Sequence, residues 1–175
     1  MNIVLAGFGG QGVLFAGKII AHAGLLEDRE VSWLPSYGPE MRGGTANCSV
    51  CLSDEPVGCP LVLHPDLLIA MNRPSFEKFS GTVAPGGVIV YDSALIEDPA
   101  PREDVRCAAV PASRMAESEE GLGGLSNMIL LGRALAETGF AALDAVVRAV
   151  QKCVPAKKQY LAEPNLRALH LGMST

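Results

Sequence analysis

The sequence predicts an α/β protein: a three-layer sandwich around a mostly parallel, mixed β-sheet that opens with a Rossmann-like β-α-β unit. Two observations support this fold class. Short apolar runs typical of buried strands alternate with helical segments, and a run of helices follows them. In addition, the glycine-rich motif GFGGQG lies between the first strand and the first helix, a position that is typical of Rossmann-like units.

The opening residues form the clearest unit. Asn2–Ala6 is an apolar strand, Val13–Leu26 is an alanine- and leucine-rich helix, and Val31–Leu34 is a second strand. A strand-helix-strand succession predicts a parallel pair with a right-handed crossover. The following stretch, Ser36–Gly44, contains three glycines and a proline, so it is predicted to be a loop.

The rest of the chain continues the alternation and then becomes helical. Thr45–Ser53 is a strand whose short preceding loop favours an antiparallel or edge position. Ser126 is a candidate N-cap for the helix that follows it. The remaining strands are predicted at Asp66–Met71, Val88–Tyr91 and Val105–Val110, and the helices at Pro74–Ser80, Pro111–Glu120, Asn127–Glu137, Leu143–Lys152 and Ala156–Leu171. No linker interrupts this series, so residues 1–175 are predicted to form a single domain.

Composition and charge narrow the function classes. The chain carries 14 basic and 19 acidic residues, a net charge of −5, which argues against nucleic acid or an anionic membrane surface as the main partner. When glycine is counted as well, about 58% of the residues are apolar against the usual 45–50%, and this excess suggests an interface covered by other subunits. We see neither a membrane-spanning run nor a secretory signal, and therefore expect a cytoplasmic protein.

The five cysteines do not indicate a disulfide framework or a metal centre. Cys48 and Cys51 form a C-x2-C pair, but both fall on a predicted strand and would point to opposite faces. Buried strand cysteines are therefore favoured over a metal or iron–sulfur ligand pair. No catalytic residue and no metal ligand is assigned.

The glycine motif, Gly7-x-Gly9-x-x-Gly12, predicts a tight turn whose backbone N–H groups face an anion at a helix N-terminus. Binding of NAD would also require an acidic residue at the end of the second strand, and the segment VSWLPS supplies none. A P-loop would require a terminal Lys-Ser/Thr, which is missing as well. The remaining alternatives are an anion such as phosphate or sulfate at Gly9–Gly12, or glycines that only allow close packing.

A second loop is expected at the same edge of the sheet, because the carboxyl ends of parallel strands meet there. Its residues Tyr37, Glu40 and Arg42 offer an aromatic face and two charges, and Gly43-Gly44 offers a backbone nest. The alternative is a turn with solvated charges. Asn72-Arg73, after a later strand, is a further candidate for this edge.

Four segments, GFGGQG, SYGPEMRGGTANCSV, SNMILLGRAL and EPNLRALHLG, resemble the gamma subunit of 2-oxoacid:ferredoxin oxidoreductases. That group includes the pyruvate, 2-oxoglutarate, ketoisovalerate and indolepyruvate enzymes of anaerobic metabolism. The resemblance implies a complex that decarboxylates a 2-oxoacid on thiamine diphosphate, reduces ferredoxin through iron–sulfur clusters and transfers the acyl group to coenzyme A. It also implies that thiamine diphosphate and the clusters belong to alpha, beta and delta chains, which would be the partners of this chain.

For this chain, the resemblance implies a subunit that is inactive alone, carries no tightly bound cofactor, and supports assembly and coenzyme A access. Whether the isolated chain homo-oligomerises through the surface meant for its partners is left open by the resemblance. The alternatives are an autonomous Rossmann-type nucleotide-binding reductase and an anion-sensing module. The positions that match the family motifs, and are therefore candidate coenzyme-binding residues, are Gly7, Gly9, Gly10, Gln11, Gly12, Tyr37, Gly38, Pro39, Glu40, Arg42, Gly43, Gly44 and Asn127.

Overall fold

A mixed six-stranded sheet forms the centre of the molecule. The computed structural model describes residues 1–36, 45–100 and 102–175. The strand order is β2-β3-β1-β4-β5-β6, in which β1, β4, β5 and β6 are parallel and β3 is antiparallel to both its neighbours. The strands are β1 (Asn2–Phe8), β2 (Glu30–Ser36), β3 (Thr45–Ser53), β4 (Leu67–Ala70), β5 (Val88–Asp92) and β6 (Arg106–Val110).

Helices cover both faces of the sheet, so the predicted three-layer sandwich is confirmed. They are α1 (Val13–Leu26), α2 (Arg73–Phe79), α3 (Ala112–Ser118), α4 (Ser126–Thr138), α5 (Leu143–Cys153) and α6 (Ala162–Met173), with 3-10 turns at Ser80–Thr82 and Ala156–Leu161. None of the helices in the described ranges is long and apolar enough to cross a membrane.

Successive residues of each strand face different layers. Ile3 and Leu5 of β1 belong to the larger core, which lies between the sheet and helices α1, α3, α4, α5 and α6. Val4, between them, belongs to a smaller core with Phe76 of α2 and Tyr91 of β5. This alternation follows from the two-residue period of a strand, and it explains why the central strands are apolar throughout.

The expected pairing of the first two strands is wrong. β2 runs in the same direction as β1, but β3 lies between them and pairs with both, so that Cys48 of β3 is opposite Leu5 on one side and Pro35 on the other. The antiparallel direction of β3 is confirmed, whereas the edge position belongs to β2. Pro35 fits this arrangement because an edge strand tolerates a residue that cannot donate a hydrogen bond.

Three local details also differ from the sequence expectations. Ser126 is the first residue of α4 rather than its N-cap, which is Leu125, a residue whose side chain makes no capping hydrogen bond. α3 ends at Ser118 because Glu119 is extended. The last helical segment begins as a 3-10 turn with non-helical backbone at Lys158 before α6 starts.

Candidate functional site

The carboxyl ends of three strands meet at one edge of the sheet. Ala6 of β1 and Ser36 of β2 both pair with Asn47 of β3, so β1 and β2 end at the same level. Asn72 follows β4 at this edge, and its side chain donates to Gln11 of the glycine loop over 3.0 Å. The expectation that Asn72 lies beside the first loop is therefore confirmed.

The glycine loop makes a tight turn into α1. The N–H of Gln11 donates to the carbonyl of Phe8 over 3.2 Å, and Gly12 is the N-cap residue of α1 with a φ of 76°. Gly10 has a φ of 97°, which also favours glycine. Beside the loop lies an open cleft of about 240 Å³, lined by Phe8, Gly9, Gly10, Gly12, Val13, Leu14, Phe15 and Ala46.

The cleft combines apolar walls with the positive end of a helix. The N–H groups of Val13, Leu14 and Phe15 form the first turn of α1, where an α-helix provides no carbonyl partner. No acidic side chain lies in this first turn, and the next exposed basic residue along α1 is Lys18. Such an arrangement suits an anion that is attached to an apolar or aromatic group.

Gly7 and Gln11, both predicted as binding residues, are not among the residues that line this cleft. The side-chain oxygen of Gln11 accepts from the N–H of Phe8 over 2.6 Å, and its nitrogen donates to the carbonyl of Met71 over 3.1 Å. Gly7 leaves room for this side chain, since a Cβ at Gly7 would lie 2.8 Å from the Gln11 oxygen. Gly7 and Gln11 therefore shape the loop, whereas Gly9, Gly10 and Gly12 line the cleft.

Asn127 supports the loop from inside the protein. It lies near the start of α4 with a side chain that is 4% exposed, and its amide nitrogen donates to the carbonyl of Gly12 over 3.3 Å. A Cβ at Gly12 would overlap this amide group. The family motif therefore identified a residue 115 positions away that holds the N-cap of α1, without joining the lining of the cleft.

The second predicted motif cannot be compared with the structure. Tyr37, Gly38, Pro39, Glu40, Arg42, Gly43 and Gly44 lie outside the described residues. Their roles as binding residues stay predictions.

The C-x2-C pair, Cys48 and Cys51, occupies buried packing positions on β3. Cys48 is fully buried under the start of α1, and its Sγ lies 3.8 Å from the carbonyl of Val13. Burial raises the pKa of Cys48 to about 12, so the thiol stays protonated at neutral pH. Cys51 is buried three residues later on the same strand. Within the described ranges, no group of three His, Cys, Asp or Glu side chains is placed to bind a metal ion.

Strand order also disfavours a dinucleotide site of the Rossmann type. Such a site requires an acidic residue at the end of a second strand that neighbours the first. Here β3 separates the two, which places β2 about 10 Å from β1 at the usual strand spacing. β2 ends with Pro35 and Ser36, which carry no charge.

Comparison with known proteins gives the family. The chain belongs to the pyruvate ferredoxin/flavodoxin oxidoreductase family, whose sequence profile matches residues 2–175. Ketoisovalerate oxidoreductase subunit VorA of Methanothermobacter marburgensis is 41% identical over 98% of this chain and 36% of its own length. 2-Oxoglutarate synthase subunit KorC of Methanocaldococcus jannaschii is 35% identical over 98% of this chain and 91% of its own length. The chain thus spans about a third of the ketoisovalerate oxidoreductase subunits it matches.

Solved structures agree with the fold. The gamma subunit of a keto/oxoacid ferredoxin oxidoreductase from Geobacter sulfurreducens is 30% identical, with a TM-score of 0.85 over 99% of this chain and 96% of that chain. The 2-oxoglutarate:ferredoxin oxidoreductase of Magnetococcus marinus, with 2-oxoglutarate, coenzyme A and succinyl-CoA bound, is 25% identical. Its TM-score is 0.88 over 99% of this chain and 30% of that chain. The α/β architecture and the family resemblance found in the sequence are both confirmed.

Proposed function

We propose that this chain is the gamma subunit, or the gamma part, of a 2-oxoacid:ferredoxin oxidoreductase and admits coenzyme A to the complex. Family membership and the named gamma-subunit relative support the subunit role. The observation that carries the proposed contact is the cleft beside Gly9–Gly12, where the N-terminus of α1 meets apolar walls. The partners would be alpha, beta and delta chains, with ferredoxin as the electron acceptor of the complex.

The reaction chemistry belongs to the other chains in this proposal. Thiamine diphosphate supplies the decarboxylation chemistry and iron–sulfur clusters carry the electrons. The described cysteines do not fit a cluster, because no group of three His, Cys, Asp or Glu side chains in those ranges is placed to bind metal. The contribution of this chain is to hold an anionic part of coenzyme A at the start of α1.

The size of the cleft defines how much of the coenzyme it holds. At about 240 Å³ it is smaller than a site for a whole drug-sized ligand, so it accommodates one group of coenzyme A. The free N–H groups of the first helical turn bind a phosphate, while Phe8 and Phe15 pack against the adjoining carbon skeleton. The 2-oxoacid itself is selected elsewhere in the complex.

The first test isolates the native assembly. The tagged full chain is recovered anaerobically from its own host, and the co-purifying chains are identified by mass spectrometry. Reduction of viologen is then measured with each 2-oxoacid in the presence and absence of coenzyme A. Larger chains carrying thiamine diphosphate and iron, with activity on one oxoacid, are the expected result. A chain that is recovered alone and inactive would contradict the subunit role.

The second test compares two substitutions at the cleft that differ only in charge. Leu14→Glu and Leu14→Gln remove the same apolar contact, but only the first adds a negative charge at the start of α1. Because that charge stabilises a helix N-terminus, the folded chain tolerates it. In the complex we expect Leu14→Glu to raise the KM for coenzyme A about tenfold relative to Leu14→Gln. Equal KM values would exclude an anion at this position.

A further inference from the structure

The side chains of Gln11 and Asn72 form a hydrogen-bonded pair of amides between the glycine loop and α2, in which Asn72 is buried and Gln11 is half-buried. The Gln11 oxygen accepts two bonds, from the N–H of Phe8 over 2.6 Å and from the Asn72 amide over 3.0 Å. The Gln11 nitrogen donates to the carbonyl of Met71 over 3.1 Å. One side chain thus connects the end of β1, the residue after β4 and the start of α2.

Asn72 uses both ends of its own amide. Its oxygen accepts from the N–H of Ser75 over 2.9 Å and caps α2, while its nitrogen donates to Gln11. The side chain is 2% exposed. An N-cap alone would be served equally by Asp or Ser, but neither provides an N–H that reaches Gln11.

We infer that Asn72 is a positioning residue for the glycine loop, acting through Gln11; this inference rests on the proposed coenzyme A function of that loop. Two donors, Phe8 N–H and Asn72 Nδ2, face one end of the Gln11 amide, and an acceptor, the Met71 carbonyl, faces the other. Only one orientation of the amide satisfies all three contacts.

Removing the Asn72 donor removes one of these constraints. A carboxylate at position 72 would place a lone pair against the Gln11 oxygen, and turning the Gln11 amide would break its contacts with Phe8 and Met71. The N–H of Phe8 would then lose its acceptor at the start of the loop. The loop would leave the conformation in which Gly9, Gly10 and Gly12 line the cleft beside the first turn of α1.

Asn72→Asp is the informative substitution, because Asp remains a good N-cap and keeps α2 intact. Hydrogen exchange of the ¹⁵N-labelled full chain is measured by NMR. We expect the Phe8 amide to exchange about fivefold faster or more, as one hydrogen bond is lost. The Ser75 amide is expected to stay protected, since its acceptor is retained. If Phe8 exchanges at the original rate, the inference is wrong.

A double-mutant cycle in the assembled complex tests whether Asn72 acts through Gln11. We expect Asn72→Asp to raise the KM for coenzyme A severalfold with kcat unchanged. In a Gln11→Ala background, the same substitution should add no further increase. Additive effects would show that Asn72 acts independently and would overturn the inference.

The control is Phe76→Leu, which weakens α2 in the smaller core without touching the amide pair. It should lower Tm but leave the Phe8 exchange rate and the KM for coenzyme A unchanged. The Leu14 variants separate this inference from the proposed function. If Leu14→Glu raises the KM and Asn72→Asp does not, only the positioning role fails. If neither raises it, the coenzyme A function fails.

Discussion

The backbones of α4 and α6 touch at two glycines, and this contact makes the strongest stability prediction. A Cβ on Gly132 would overlap the carbonyl oxygen of Leu169 and lie 2.9 Å from its carbonyl carbon. A Cβ on Gly172 would overlap the carbonyl oxygen of Ile129. Because the obstacles are backbone atoms of packed helices, a rotamer change cannot relieve them.

The cost of Gly132→Ala can be worked from these distances. Carbon atoms pack best at about 3.5–4.0 Å, and the Leu169 oxygen lies even closer to the new Cβ than the carbonyl carbon does, so the helices must separate by more than ~1 Å at this point. Overpacking typically costs ~1–3 kcal/mol, and a clash with the backbone of a packed helix belongs at the upper end, ~3 kcal/mol, whereas the better helix propensity of alanine returns ~1 kcal/mol. We expect a net loss of ~2 kcal/mol in the free energy of unfolding, or a fall in Tm of ~4–8 °C for a chain of this size.

Gly24→Ala in α1 is the matched control. Its Cβ would meet the tip of Leu52 at 2.6 Å and of Val31 at 3.0 Å, and these side chains can rearrange. Urea unfolding followed by circular dichroism should therefore show a loss within ~1 kcal/mol for Gly24→Ala. If Gly132→Ala is no less stable than Gly24→Ala, the α4–α6 backbone contact is not the constraint described here.

Three further predictions concern single side chains. Asp92 is 1% exposed, and its carboxylate accepts hydrogen bonds from the N–H and the hydroxyl of Ser113. We therefore expect Asp92→Asn to lower the free energy of unfolding by ~2 kcal/mol and Ser113→Ala to lower it by ~1 kcal/mol. Burial, together with two nearby lysines, lowers the pKa of His22 below its usual 6.5, so the unfolded chain binds more protons in this range. The free energy of unfolding should therefore fall as the pH drops below about 6.5. Urea unfolding measured at several pH values should show a weaker dependence on pH for His22→Gln than for the original chain. Burial raises the pKa of Cys48 to about 12, so Cys48 should resist alkylation by iodoacetamide at pH 8 in the folded chain. Cys59 is exposed and should be alkylated under the same conditions. Peptide mass spectrometry distinguishes the two sites.

Most secondary structure could be predicted from local patterns. The bounds of α1 and β3 agree with the sequence analysis at both ends, because helix and strand periodicities are sharp there. The N-cap of α4 was mispredicted, since Ser126 matches the residue preference but lies inside the first turn. Cap preferences describe one residue, whereas the position of the helix start depends on how α4 packs.

Strand order could not be predicted in the same way. A β-α-β pattern specifies direction and crossover hand, and both β1 and β2 obey the expected direction. It does not specify whether a third strand enters between them. β3 does so because, returning antiparallel, it satisfies the hydrogen-bonding groups on facing edges of β1 and β2.

In the candidate site, too, some residues were predictable from the sequence and others are recognised only from the tertiary structure. The glycine motif and Asn127 were recognisable in the sequence because both lie in segments that resemble the family. The pairing of Gln11 with Asn72 had a weaker signal: an asparagine between a buried strand and Arg73-Pro74, a pattern that indicates a helix start. Nothing in that pattern indicates which residue accepts the hydrogen bond from the amide nitrogen of Asn72.

The sequence by itself therefore determined the periodic elements, the family and the anion-compatible turn at Gly9–Gly12, because these depend on residues adjacent along the chain. The tertiary structure decided which strands are neighbours, which loop residues line the cleft, and which hold the loop from within. These features depend on contacts between residues 61 positions apart, as for Gln11 and Asn72, or 115 apart, as for Gly12 and Asn127. Hydrogen bonding and packing select such contacts only when all the elements are assembled.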